Sequence, residues 1–486
     1  MAFVQSSLRN IVYGVVATLA SALLIYFGNG MEPHWPLMWL ALVPVLCFAL
    51  RTTWPGAVLA SAAAMLLGNL NLWSYLTKTL GAPAWVWLAN FSLAAAVFAV
   101  AVLLMRVLVL RGAVWSSLVA LPSLWVTMEY LRNVMTPHGS AGSLAYSQLG
   151  FLPFLQLASI TGPWGMTFVL LLFSCAVAIA WHLRASSPKQ AMQIAAAGAG
   201  VTALVLIFGA IRLTLPQGRT ARVGLIASDA KQHAGGTVAD PGAPTERLFA
   251  DYADAASAMT AQGAQAVVIP EKIAVTLEGK SAASDGVLQS FADRSGATVI
   301  AGTVHVEGAA KYNEARVYQT KDALKRYDKE HMLPPFESPL TPGTSLVVLP
   351  RGADRWGVAI CKDMDFADPA RRYGRERAGL LLVPAWDFVV DRSWHGHIAV
   401  MRGVEDGFSI ARAAKNGYLT VSDWRGRIVA ERPSDAAEFA TLVTDVSDEH
   451  HWTVYQVLGD WFAWASVALL IVVLLRLMTT RKPATA

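Results

Sequence analysis

RWGVAICKDMDF, residues 355–366, opens as a short apolar run and closes in charge. The run WGVAIC has the length and β-branched content of a buried strand, and a polar turn follows it at once. Working outward, RVGLIAS (222–228), QAVVIP (265–270), ATVIAGT (297–303), SLVVLP (345–350), GLLLVPA (379–385) and YLTVSD (418–423) read the same way. Between them, 243–262, 284–295 and 394–415 are predicted as helices. Alternation of this kind predicts an α/β domain with buried strands. The opening stretch also holds Cys361, the one cysteine of three outside an apolar, membrane-like run. Three cysteines exclude a disulfide framework, and Cys47 and Cys175 read as small packing residues.

The rest of the chain is different in kind. Of 486 residues 55% are hydrophobic and only 15% charged, too apolar for an ordinary soluble protein. The excess lies in residues 1–213 and again near 459–477, flanking a mixed-charge region over 220–447. A spanning helix needs about 20 mostly apolar residues. About eight segments qualify, near 11–28, 36–51, 54–73, 85–105, 114–131, 164–183, 192–213 and 459–477, the second short and the fifth weakly apolar. The organisation expected is a membrane domain of about seven helices (1–213), a globular domain (220–447), and a linker with one further transmembrane helix (448–486). The first run is read as a retained span, since no clean small-residue cleavage site follows it.

Charge in the short loops sets orientation. With the N-terminus inside, the inner side receives Arg9, Arg51, Arg106, Arg111, Arg184, Lys189, Arg476, Arg481 and Lys482, and the outer side only Lys78 and Arg132. The globular domain is then extracytoplasmic. The net charge of +5 is accounted for by these loops; with no basic stripe interleaved with aromatics, a nucleic-acid partner is not expected. The Gly- and Ser-rich stretch 129–150 reads as a lid or lipid-access loop.

Polar residues follow several strands directly: Glu271 after VVIP, Cys361 at the end of WGVAI, and Lys329 in RYDKEHMLPPFE. Ligands collect at the carboxyl ends of strands in α/β sheets. A thiol at neutral pH needs a base to become a nucleophile, and a shielded carboxylate can serve. A lysine ammonium can stabilise the oxyanion of an acyl transfer. Taken singly, each residue has a plainer reading: a core cysteine, a carboxylate near a helix start, a lysine on a solvated face. Spacing alone does not decide between them. His395 and His397, spaced H-x-H on a predicted helix, point to different faces, so no metal site is expected. Without G-x-G-x-x-G, P-loop or paired C-x-x-C, no cofactor is expected either.

The three stretches IPEK (Glu271), YDKEHMLPPFE (Lys329) and AICKDMDF (Cys361) resemble, in order and character, the motifs of the nitrilase, or carbon–nitrogen hydrolase, superfamily. With the membrane runs on both sides, the chain resembles the apolipoprotein N-acyltransferase family over nearly its whole length. WVTMEYLRN (125–133), WHGHIAVMRGVEDGFSIARAAKNG (394–417) and TVYQVLGDWFAW (453–464) carry the likeness outside the three motifs.

The resemblance implies an α-β-β-α nitrilase-like domain beside a polytopic helical membrane domain. It implies Glu271, Lys329 and Cys361 as the catalytic triad, with Glu337 in support. The reaction implied is transfer of a fatty acyl chain from a phospholipid, through a Cys361 thioester, to the α-amino group of a lipoprotein's S-diacylglyceryl cysteine. The setting implied is the inner membrane, with the catalytic domain in the periplasm. Departures occur beside the triad. The family's Cys-Tyr-Glu is here Cys361-Lys362-Asp363, and its Asn-Asp-x-Trp is VPAW, which keeps Trp386. Lys362, Asp363 and Trp386 are therefore the candidate substrate contacts. The departures leave open a membrane-tethered amidase, an acyltransferase with another amine acceptor, or a silent scaffold.

Overall fold

In the computed structural model, residues 2–231, 234–239 and 242–480 are described, with only the backbone for 2–7; Arg481 and Lys482 of the charge argument lie outside the described residues. The chain divides into two units, one formed by Met1–Val134, Gly142–Leu213 and Asp460–Ala486, the other by Met135–Ala141 and Thr214–Gly459.

Among the described residues, six helices of the first unit are long and apolar enough to cross a membrane: Leu8–Gly28, Trp54–Leu72, Ala84–Leu110, Ala158–Leu183, Pro188–Leu213 and Trp461–Thr479. Two expected spans differ. Residues 36–51 fold as two short helices, Trp35–Ala41 and Val43–Ala49, each with a proline in its first turn. The other, Val114–Met135, is long enough but buries Ser117, Ser123 and Glu129 and carries Pro122. Glu129 explains its polarity. Its carboxylate accepts hydrogen bonds from Trp125 Nε1 (3.0 Å), Ser143 Oγ (2.8 Å), Thr167 Oγ1 (2.9 Å) and the Leu144 N–H (2.9 Å). A buried carboxylate requires such donors. They draw Leu144–Gln148 into a buried 3₁₀ turn, so this part of the expected lid is built into the fold.

The second unit holds twelve strands: β1 Thr220–Ala227, β2 Ala266–Leu277, β3 Thr298–Glu307, β4 Ala310–Tyr318, β5 Lys325–Asp328, β6 Val348–Arg351, β7 Asp354–Val358, β8 Ala378–Trp386, β9 Ser409–Lys415, β10 Tyr418–Ser422, β11 Ile428–Pro433 and β12 Ala440–Ser447. They form two six-stranded sheets, ordered β12-β1-β2-β3-β4-β5 and β11-β10-β9-β8-β7-β6. The central pairs β1/β2, β2/β3, β7/β8 and β8/β9 are parallel and the outer ones antiparallel.

Side-chain alternation along each strand builds the layers. Val223, Leu225 and Val268 of the first sheet share one core with Trp356, Val358, Leu380 and Leu382 of the second. Val267 and Ile269 point the other way, onto Leu248, Phe249 and Leu288 of the helices Gly242–Ala261 and Ala282–Ser295. Leu381 and Val383 likewise meet Ala370 and Tyr373 of Ala367–Arg375 and Ala399 of Trp394–Asp406. The result is an α-β-β-α sandwich, with strands apolar on both faces as parallel pairs require.

One predicted helix is shorter than expected. The segment 394–415 is helical only over Trp394–Asp406; Gly407 closes it in the left-handed conformation at φ 74°, and Ser409–Lys415 continues as β9.

Candidate active site

Glu271 sits inside β2, where the register with β3 breaks between Ile269 and Ala274. Pro270 cannot donate to the ladder there, and Lys272 takes φ 49°. The break brings the Glu271 backbone against β3 at Gly302, where an added Cβ would lie 2.5 Å from the Glu271 Cα. Only glycine permits that approach.

Lys329 follows β5 directly. Its N–H donates to the Asn313 carbonyl of β4, and its own carbonyl accepts from Gly343, both at 2.8 Å. Its ammonium lies 2.9 Å from Glu271 Oε1 and 2.8 Å from Glu337 Oε2. Asn313 Nδ2 bridges the two carboxylates at 2.5 and 2.7 Å, and Lys272 Nζ reaches Glu337 Oε1 at 2.5 Å. Two lysines and two carboxylates thus form one buried, charge-balanced network.

Cys361 opens the 3₁₀ turn Cys361–Asp365 at φ 43°, a strained position for a residue with a Cβ. Its thiol donates to the Trp386 carbonyl at 3.6 Å. Sharp turns of this sort hold a reactive side chain clear of the sheet edge.

Glu271, Lys329, Glu337 and Cys361, expected from motifs spread over 91 positions of the chain (271 to 361, inclusive), line a single cavity of about 280 Å³. Trp386, Phe336 and Phe388 supply its apolar wall. Phe336, Val389 and Val390 are exposed large hydrophobics in the two loops that reach it.

Charge follows geometry. Burial opposes the ammonium of Lys329, but the negative charges of Glu271, Cys361 and Glu337 outweigh it and hold it above the usual lysine range. Burial also works against the Glu337 carboxylate, yet Lys329 and Lys272 bring it down to about 2. The Cys361 thiol is pushed up, by burial first and by the charge of Glu271 second; Lys329 and Arg412 pull against both. At rest the site therefore holds a protonated thiol beside two lysine-paired side chains, Glu271 and Glu337.

The candidate substrate contacts separate. Lys362 and Trp386 line the cavity. Asp363 does not. Its carboxylate accepts from Tyr327 Oη (2.8 Å) and from the N–H groups of Ile360 (3.1 Å), Glu330 (3.1 Å) and His331 (2.9 Å). With four bonds into the neighbouring backbone and side chain, Asp363 ties the nucleophile turn to the lysine loop and has little left for a substrate. His395, for which the sequence pattern predicts no metal site, lines the cavity. Burial opposes its charge, but Asp365 and Asp391 hold the imidazolium up to about 10. Asn313, Asp387, Arg412 and Lys415 were not singled out by any local pattern. Arg412 and Lys415 lie in the stretch that reads as helix and folds as β9.

The comparisons with known proteins cover both units. Residues 21–176 match the family model described as apolipoprotein N-acyltransferase N-terminal domain, and residues 243–450 match that of carbon-nitrogen hydrolase. The chain is similar to the apolipoprotein N-acyltransferases along both units. It is 26% identical over 389 residues to the apolipoprotein N-acyltransferase of Geobacter metallireducens, 73% of each chain. It is 25% identical over 535 aligned positions to that of Gloeobacter violaceus, covering 99% of this chain and 96% of that protein. Among solved structures, an amidase from Nesterenkonia sp. matches 47% of this chain and 91% of its own, with 22% identity and a TM-score of 0.39.

Proposed function

We propose that the chain N-acylates lipoproteins, with Glu271, Lys329 and Cys361 as its catalytic residues. The observation that carries this reading is the meeting of these three side chains at one cavity, in a chain that matches the apolipoprotein N-acyltransferase N-terminal domain over 21–176 and carbon-nitrogen hydrolase over 243–450. In the first half-reaction Cys361 Sγ attacks the ester carbonyl of a phospholipid while its proton passes to Glu271. Lys329 stands against the oxyanion. The C–O bond to the glycerol breaks, Glu271 returns the proton to that oxygen, and a lysophospholipid leaves a Cys361 thioester. In the second, the α-amino group of an S-diacylglyceryl cysteine attacks the thioester. An amide forms, and the amine proton passes through Glu271 to the departing sulfur. Glu337 supports Lys329 throughout. Lys362 and Trp386 contact substrate at the cavity wall, where exposed Phe336 and, in the loop that follows Phe388, exposed Val389 and Val390 suit a lipid.

Two apolar substrates give a reason for the membrane unit. We assign the chain to the inner membrane with residues 220–447 in the periplasm, about seven spans before that domain (1–213), and a linker with one span after it (448–486). The division of the chain at Leu213/Thr214 supports the first of these boundaries; the second unit runs on to Gly459 and also takes in Met135–Ala141. The helix Val114–Met135 and the paired helices Trp35–Ala49 supply the spans beyond the five apolar ones in this part.

Lys362 at the cavity, where the family usually has tyrosine, favours a second reading in which the thioester is discharged to a different amine. Intact mass of the purified protein after incubation with phospholipid tests the first half-reaction. The expected gain is one acyl group, released by hydroxylamine and absent in Cys361→Ala. Discharge by a diacylglyceryl lipopeptide then supports the lipoprotein acceptor, and an acyl-enzyme that persists with it points to the other amine. No gain with any phospholipid refutes both.

A further inference from the structure

Glu271 and Lys329 come to Cys361 from the first sheet, and a second charged pair comes from the other sheet. Arg412 lies on β9 and Asp387 just past the end of β8, both about 1% exposed. Arg412 Nη1 donates to Asp387 Oδ2 at 2.8 Å and Nη2 to Oδ1 at 2.5 Å. The same Nη2 lies 4.0 Å from Cys361 Sγ. Arg412 Nε is buried without a hydrogen-bond partner among the described residues. Gly417 makes room for the pair, since a Cβ there would fall 2.4 Å from Asp387 Oδ2.

A buried ion pair is poor evidence for stability alone, because desolvation offsets most of the attraction. Its location is informative. When Cys361 ionises, its bond to the Trp386 carbonyl becomes a repulsion between two electron-rich atoms. The nearby cations are mostly occupied. Lys329 is shared by Glu271 and Glu337, and Lys272 is held by Glu337. Lys362 and His395 both face Asp365, at 3.3 and 3.5 Å. Arg412 faces one carboxylate and, with the same nitrogen, the sulfur.

We propose that Arg412 binds the Cys361 thiolate and that Asp387 is a positioning residue which orients the guanidinium and attenuates its charge. This rests on Cys361 being the nucleophile. The two halves of the pair then act with opposite sign. Removing the charge of Asp387 strengthens the field of Arg412 at sulfur, whereas removing the charge of Arg412 leaves Asp387 to repel the thiolate.

The test is the rate of Cys361 alkylation by iodoacetamide between pH 7 and 10, read by peptide mass on the full chain in detergent. Cys47 and Cys175 fall on separate peptides and do not interfere. Asp387→Asn is expected to speed alkylation at pH 7 by about tenfold, and Arg412→Gln to slow it by about tenfold, as one unit in thiol pKa implies. Arg412→Lys keeps the charge and is expected within about threefold of the wild type. Equal slowing by Asp387→Asn and Arg412→Gln, no change in either, or Arg412→Lys as slow as Arg412→Gln overturns the proposal. If Arg412→Gln does not fold, the sign of the isosteric Asp387→Asn effect decides alone. Alkylation needs no lipid, so failure of the acyl-transfer reading leaves this result interpretable.

Discussion

The Lys329 ammonium lies 2.9 Å from Glu271 Oε1, and both side chains are 2% exposed. With Glu337 at 2.8 Å on its other side, this lysine acts with Asn313 and Lys272 to let two carboxylates share so small a space. Replacing it by Lys329→Met leaves Glu271 and Glu337 facing each other in a buried site. Thioester formation is expected to fall by about 10²–10³-fold, the size seen when one oxyanion donor is removed. The thermal midpoint should fall with it. Acyl-enzyme formation at the wild-type rate, followed by intact mass, excludes this role.

Glu337 ties stability to acid. Its carboxyl goes from an ordinary value of 4.5 to about 2 in the folded chain. A depressed folded pKa contributes stability that is present above about 4.5 and lost as pH falls toward 2. The full contribution is on the order of 3 kcal/mol. Glu337→Gln should therefore lower the thermal midpoint at pH 7, and the gap to wild type should narrow between pH 5 and pH 3. A gap that stays constant with pH argues against the ion pair as its source.

Replacing Lys415 is expected to have an effect of the opposite sign, in a higher pH range. Its ammonium is fully buried, donates to the Lys272 carbonyl at 3.1 Å and lies 3.6 Å from the Trp386 ring centre. Burial chiefly, with Lys272 adding, brings it from 10.5 down to about 7 against the pull of Glu271. A lowered lysine pKa penalises the folded state below about 7, and the penalty fades as pH rises toward 10.5. Lys415→Met is expected to raise the thermal midpoint by several degrees at pH 6 relative to its effect at pH 10. Equal shifts at the two pH values would show that the folded lysine titrates as it does in the unfolded chain, with no penalty from burial.

Asp363 and Trp386 separate a structural neighbour of the nucleophile from a substrate wall. Asp363→Ala leaves four donors without their acceptor, a cost of roughly 2–4 kcal/mol. Stability and acylation should fall together. Trp386→Ala is expected to raise the KM for the phospholipid with a smaller change in midpoint. A stable Asp363→Ala protein with altered lipid preference returns Asp363 to the substrate contacts.

The network around Glu129 is a membrane counterpart. Glu129→Ala removes the acceptor of four bonds, two of which, from Ser143 and Leu144, hold the start of the turn Leu144–Gln148 in place. With little water to replace that acceptor, the detergent-solubilised protein should lose several degrees of midpoint, and Glu129→Gln less. A midpoint within one degree of wild type for Glu129→Ala means that the four donors find other partners.

The amino-acid pattern by itself determined the division into apolar and mixed-charge regions, because spanning a bilayer sets a length of apolar chain that any fold must respect. It determined the α/β character of the second unit through short apolar, β-branched runs alternating with helical stretches. The order of Glu271, Lys329 and Cys361 was legible through a family likeness, each beside a recognisable stretch. Tertiary structure alone decided what surrounds them. The apolar spacing over 394–415 suits a helix throughout; the left-handed turn at Gly407 and pairing with β8 make its last third a strand. A strand takes its identity from hydrogen bonds to a distant partner, and no local period records which partner that is. On a helix Arg412 and Lys415 belong to a surface near no other motif. As part of β9, Arg412 pairs with Asp387 and approaches Cys361, while Lys415 meets Trp386 and the carbonyl of Lys272. The charges that tune the nucleophile are thus set by which strands pair, a property of the folded sheet that the chain expresses only once assembled.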